Sequence, residues 1–276
     1  MSTRHRITGA AMVAGIAGQP VTHSLSPVIH NAWLEAAGLD GAYVPFAPRD
    51  AAGFEALVAA GRAGLIQGLN VTAPFKEQAF ALADQVSPAA RAVASANILV
   101  FEKGRILADS SDGVGVLHAL KAQAPQLDLD GAEVVMLGAG GAARAGTGAL
   151  IEAGARIGIL NRTQARAAAL AADLGPSVRV VDASTLEAAD LVINALSVRP
   201  DVDLAVLKPS AVVMDMTYRP VVTPFLQAAQ ARGLATVDGL AMLIGQAAPS
   251  YQALYRQVPP VLDLRPLLLG HLGETP

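Results

Sequence analysis

Short apolar runs alternate with helical patterns along most of the chain, and this alternation constrains the fold more than any other feature. Val13 to Ala17, Ala42 to Phe46, Leu65 to Val71 and Asn97 to Glu102 read as strands. Pro27 to Ala37, Ala51 to Ala60 and Pro74 to Ala83 read as the helices between them. A second series begins near Asp112, with strands at Glu133 to Leu137, Arg156 to Leu160, Leu191 to Asn194 and Val212 to Met214. Strand–helix alternation predicts α/β layers on mainly parallel sheets. A length of 276 residues makes two domains the default.

Composition narrows the possible functions. The chain is 53% hydrophobic, which is ample for packed cores. A net charge of −3 argues against a nucleic-acid partner. There is no cysteine, which removes disulfides, thiolate zinc sites and cysteine nucleophiles. With five scattered histidines as well, no catalytic metal is expected. No apolar run reaches the roughly 20 residues needed to span a bilayer, and the apolar run after the basic start reads as a buried strand, not a signal peptide. The expectation is a cytoplasmic protein without a membrane partner. Only four of the 20 basic residues are lysines: Lys76, Lys103, Lys121 and Lys208.

Glu133 to Ala145 reads as a strand, a glycine turn and a helix start. Gly138 and Gly140 take the first two places of a Gly-x-Gly-x-x-Gly/Ala turn, and Ala143 takes the third. The first glycine permits the tight turn, and the second lets a pyrophosphate approach the backbone. The helix N-terminus then offers N–H groups to that anion. At the end of the next strand an NAD site would carry an acidic residue for the ribose diol. This chain has Arg162 there, with Arg166 one helical turn further on. Two guanidinium groups suit a 2′-phosphate, so NADP(H) is the expected cofactor. Alternatively, both arginines simply solvate a helix start.

The first half holds an unusual polar cluster. In Gly18-Gln-Pro-Val-Thr-His-Ser24-Leu-Ser26-Pro27, Ser24 and Ser26 share one side of an extended segment, as a carboxylate or polyol ligand would require. Ser26 before Pro27 also suits a helix N-cap. Asn70-Val-Thr72-Ala-Pro74-Phe-Lys76 repeats the design, with Asn70 and Thr72 on one side and Lys76 in the first turn of a helix. A cation is disfavoured there, which suits a group that gives and takes a proton. Asp112, between the two series, reads either as a helix cap or as the acidic partner of Lys76.

Together these segments resemble the shikimate dehydrogenase family over nearly the whole chain. Residues 18–31 are similar to its opening motif, Asn70 to Lys76 to its Asn-Val-Thr-x-Pro-x-Lys motif, and Asp112 to Gly115 to its Asp-Gly-x-Gly element. Gly138 to Ala145, Asn161 to Thr163, the run from Asp215 to Leu226 and the run from Gly239 to Ala248 complete the set. The resemblance implies a substrate domain (1–111), a Rossmann-like NADP domain (112–238) and a C-terminal helical segment (239–276) returning to the first, with a cleft between the domains. It implies reversible NADPH-dependent reduction of 3-dehydroshikimate to shikimate, a step of aromatic amino acid biosynthesis, by a monomer or homodimer. By position, Lys76 and Asp112 are the acid–base pair. Ser24 and Ser26 hold the substrate carboxylate, while Asn70, Thr72, Asn97, Tyr218 and Gln246 hold its ring and hydroxyls. Gly138, Ala139, Gly140, Gly141, Ala142, Asn161, Arg162, Thr163, Arg166, Gly239 and Met242 line the cofactor. Three places depart from the family pattern: Ile98, Ser110-Ser111, and Leu196 within Asn194-Ala-Leu-Ser197. The first two leave room for a paralogue acting on quinate or an aminated shikimate. A catalytically silent NADPH-binding module is the other alternative.

Overall fold

A computed structural model describes residues 7–196 and 198–274, so the basic start and Ser197 lie outside the described residues. The chain divides into two compact units, residues 1–111 with 247–276, and residues 112–246.

The first unit holds β1 (Met12–Ala17), α1 (Ser26–Ala37), β2 (Gly41–Phe46), α2 (Ala51–Arg62), β3 (Gly68–Val71), α3 (Lys76–Ala81), β4 (Gln85–Val86), α4 (Pro88–Ala92), β5 (Ile98–Glu102) and β6 (Arg105–Asp109). The strand order is β2-β1-β3-β5-β6-β4. β2 and β3 flank β1 in parallel, but β5 runs antiparallel to both β3 and β6. The alternation pattern did not predict that reversal. β6 runs back along β5 because the two form a hairpin closed by Lys103 and Gly104, both at positive φ (50° and 76°), as a type I′ turn requires. One face of the sheet carries Phe54, Leu69, Val71, Phe75 and Leu99, with the Phe54 and Phe75 rings stacked at 4.8 Å. α2 approaches so closely that a Cβ on Gly61 would lie 2.2 Å from the Phe101 ring.

The second unit holds α5 (Asp112–Gln123), β7 (Glu133–Leu137), α6 (Gly141–Glu152), β8 (Arg156–Leu160), α7 (Gln164–Leu174), β9 (Val178–Val180), β10 (Leu191–Asn194), β11 (Val212–Asp215), α8 (Pro224–Gln230) and β12 (Ala235–Val237). All six strands are parallel, in the order β12-β11-β10-β7-β8-β9. This is the doubly wound order, whose direction of progression switches between β7 and β10. Buried strands and small residues on the covering helices explain the aliphatic, aromatic-poor composition.

α9 (Gly239–Tyr255) begins in the second unit and ends in the first, and α10 (Leu264–Leu272) follows in the first. The boundary therefore falls after Gln246, not before Gly239 as expected. The reason is packing: a Cβ on Gly239 would lie 2.4 Å from the Met216 carbonyl oxygen, and Met242 is part of the second core. From Ala247 onward the buried side chains belong to the first unit, where Leu254 lies against Gly68. Among the described residues, no helix is long and apolar enough to cross a membrane.

Candidate active site

In the first unit, the two polar motifs leave the carboxyl ends of adjacent parallel strands, β1 and β3, and run side by side. Thr72 N–H donates to the Ala17 carbonyl (2.9 Å), and Gln19 N–H donates to the Ala73 carbonyl (3.1 Å). A Cβ on Gly18 would lie 2.3 Å from Thr72 Cγ2, so the first loop needs glycine there. Thr72 is half-buried.

The expected N-cap at Ser26 is not observed. Leu25 takes the cap position of α1 without a side-chain bond, and Ser26 is the first helical residue, with Pro27 after it. The half-buried Ser24 turns its Oγ to the Ser26 N–H (3.2 Å). The Ser26 side chain is buried.

Tyr43 donates to Asn70 Oδ1 (2.7 Å), and Asn70 Nδ2 donates to the Asn97 carbonyl (3.1 Å) and to Ser250 Oγ. The Asn97 side chain is tied to Ser111: Asn97 Nδ2 donates to Ser111 Oγ (3.1 Å), and Ser111 N–H donates to Asn97 Oδ1 (2.8 Å). The structure thus joins Asn70 and Asn97 in one buried network with Tyr43, Ser250 and Ser111. Ser111, part of the Ser110-Ser111 pair singled out in the sequence, helps to orient Asn97. Ile98, also singled out in the sequence, is fully buried. Burial pushes the Tyr43 phenol well above the ordinary tyrosine range, so it stays protonated and acts as a donor.

Lys76 is half-buried and opens α3, which is shorter at both ends than the expected Pro74 to Ala83 helix. Its carbonyl accepts the Ala96 N–H (3.0 Å), which ties the helix start to the segment before Asn97.

In the second unit, Asp112 is buried and is itself the first residue of α5, not a cap preceding it. Tyr218 and Gln246 are half-buried, and Gln246 Nε2 donates to the Leu243 carbonyl (3.2 Å). The glycine turn has the expected form. Gly138 has φ +114°, and Gly140 caps α6 with no side chain. A Cβ on Gly140 or Gly141 would meet nothing within 4 Å, so the first-turn backbone around Ala142 is open on that side. Gly138 packs against Leu196 beyond β10, which brings the turn to the switch point, and Ala139 packs on the core.

Asn161 donates to the Thr163 carbonyl (2.8 Å) and shapes the loop that presents Arg162. Thr163 caps α7 without a side-chain bond. Among the described residues, Arg162 and Arg166 are exposed and stand outside this unit's ion pairs, which use Arg144, Arg156, Arg179 and Lys208. These residues fit a phosphorylated dinucleotide: open N–H groups for its pyrophosphate, and two guanidinium groups for a further phosphate. Gly239 lies against the Met216 and Thr217 carbonyls, and Met242 sits in the core.

Sequence reasoning missed Tyr43, Ser250 and Asp215. Asp215 is buried and accepts from Asn194 Nδ2 (3.1 Å), Thr217 N–H (2.9 Å) and Thr223 Oγ1 (2.7 Å). It knots the loops after β10 and β11. A carboxylate beside a threonine cap was the available signal.

The fold and the glycine turn define a two-unit α/β protein of the dinucleotide-binding class. The shikimate dehydrogenase substrate binding domain model matches residues 16–99, and the shikimate / quinate 5-dehydrogenase model matches residues 119–219. The chain belongs to the shikimate dehydrogenase family. A shikimate dehydrogenase (NADP(+)) of Caulobacter vibrioides is 52% identical, over 98% of this chain and 99% of its own. The shikimate 5-dehydrogenase of Thermus thermophilus, solved with NADP(H) and shikimate, superposes with a TM-score of 0.83 at 35% identity, over 90% of this chain and 95% of its own. A quinate dehydrogenase of Corynebacterium glutamicum, solved with NAD, gives 0.85 at 28% identity, over 94% and 99%.

Proposed function

We propose that this chain catalyses the reversible NADPH-dependent reduction of 3-dehydroshikimate to shikimate, with Lys76 and Asp112 as its acid–base pair. The full-length likeness to a shikimate dehydrogenase (NADP(+)) carries this reading. When bound, NADPH supplies hydride to the ketone carbon. The Lys76 ammonium stabilises the negative charge developing on the ketone oxygen and protonates it; in the reverse direction the neutral amine takes that proton back. Asp112 orients the lysine. Ser24 and Ser26 hold the substrate carboxylate, and Asn70, Thr72, Asn97, Tyr218 and Gln246 hold the ring and its hydroxyls. The first unit is the substrate domain.

The second unit is the NADP domain. There the N–H groups from Gly138 to Ala142 take the pyrophosphate, while Arg162 and Arg166 take the 2′-phosphate, supported by Asn161 and Thr163. Gly239 and Met242 complete the cofactor site. The enzyme works in the cytoplasm as a monomer or homodimer, without nucleic-acid or membrane partners.

A second reading, with quinate or an aminated shikimate as substrate, is favoured by Ser110-Ser111 before Asp112 and by the likeness to a quinate dehydrogenase. Initial rates with shikimate, quinate and an aminated shikimate, each with NADP and NAD, separate the two. The highest kcat/KM is expected for shikimate with NADP. A higher value for quinate moves the assignment to the second reading, and no turnover of any of the three substrates overturns both.

A further inference from the structure

Asn70 is held from three sides within the first unit. One of its amide hydrogens goes to the Asn97 carbonyl (3.1 Å), a group that can only accept, so the amide has a single orientation. The other goes to Ser250 Oγ. The Asn70 carbonyl oxygen must then face Tyr43, which donates to it at 2.7 Å.

Tyr43 is itself pinned. Its ring stacks on His30 at 4.1 Å with the planes 13° apart. Tyr43 and Ser250 are both fully buried. With both Asn70 amide hydrogens committed, the only hydrogen-bonding capacity left on that side chain is a lone pair of Oδ1.

We propose that Tyr43 and Ser250 are positioning residues of the substrate site: they lock Asn70 as a pure acceptor, so that it takes a donating hydroxyl of the substrate and rejects a carbonyl or carboxylate oxygen. This rests on the reading of Asn70 as a substrate ligand. The signal was hidden in the sequence because Tyr43 and Ser250 lie 27 and 180 residues from Asn70.

Tyr43→Phe removes the hydroxyl and keeps the ring on His30. The expected result is a KM for shikimate raised roughly threefold to tenfold, as one lost hydrogen bond implies, with kcat changed less than about twofold and the KM for NADP unchanged. Ser250→Ala is expected to do the same from the other side of the amide, and it carries the test if Tyr43→Phe does not fold. In an Asn70→Ala background either substitution should add nothing, because there is no amide left to position.

The proposal is overturned if the folded variants keep the wild-type KM for shikimate, if the KM values for shikimate and NADP rise together, or if the effect persists without Asn70. A wild-type enzyme inactive on shikimate refutes the functional reading and this proposal with it. An active wild type with unaffected variants refutes this proposal alone.

Discussion

The imidazole of His30 lies face to face with the Tyr43 ring and meets Trp33 edge-on at 5.8 Å, and neither of its nitrogens has a hydrogen-bond partner among the described residues. Burial depresses its pKa from 6.5 to about 3, because a charged imidazolium would lose its hydration and gain nothing in exchange. The unfolded chain therefore takes up a proton that the folded chain refuses. The stability tied to His30 is complete above pH 6.5 and is lost as the pH falls from there towards about 3. The slope in that window is up to about 1.4 kcal/mol per pH unit. Denaturant melts of wild type and His30→Phe across this range should diverge, the wild type losing stability more steeply on acidification. Parallel curves would show that His30 is not a source of acid sensitivity. Sequence alone placed His30 in the first helix and went no further, because its sealed position depends on Tyr251 and Tyr255, which come from the far end of the chain.

At the scale of elements, the proposed cofactor site is built from β7, the glycine turn, α6 and the end of β8. Its parts do separable jobs. In the proposed cofactor site the turn and the helix N-terminus would serve any dinucleotide, whereas Arg162 would serve only one that carries a further phosphate. Arg162→Ala should raise the KM for NADPH about tenfold or more while changing that for NADH by less than about threefold. Equal losses for both cofactors would remove the phosphate assignment.

Elements of this kind were legible because their signals are local. Apolar runs, glycines at fixed offsets and the two-residue spacing of Ser24 with Ser26 and of Asn70 with Thr72 all lie within short windows. The β5–β6 hairpin was not legible. Lys103-Gly104 lacks the usual Asn-Gly or Asp-Gly turn signature, and Arg105 to Asp109 is a short strand with charged ends. The alternative reading of Ser26 as a cap rested on a sound local signal, the serine–proline pair, but Leu25 takes the cap position and Ser26 becomes the first helical residue.

At the scale of the whole molecule, two sheets of different construction share one chain. The second is a parallel doubly wound sheet, whose order alone marks where a ligand sits. The first is mixed, and its polar residues gather at the carboxyl ends of β1 and β3 and in the buried network beneath them. Composition gave this division no clue, but the scarcity of lysine did point to one residue. Lys76 opens a short helix directly after the Asn-Val-Thr turn, and its carbonyl is fixed by the Ala96 N–H. In the proposed mechanism proton transfer occurs at that side chain, and its neighbours hold the substrate. Lys76→Ala is therefore the most direct test, with kcat for shikimate oxidation and the dissociation constant for shikimate measured on the same protein. The predicted result is a loss of about 100-fold or more in kcat with shikimate binding weakened by less than about threefold. Turnover close to that of the wild type would contradict proton transfer at Lys76.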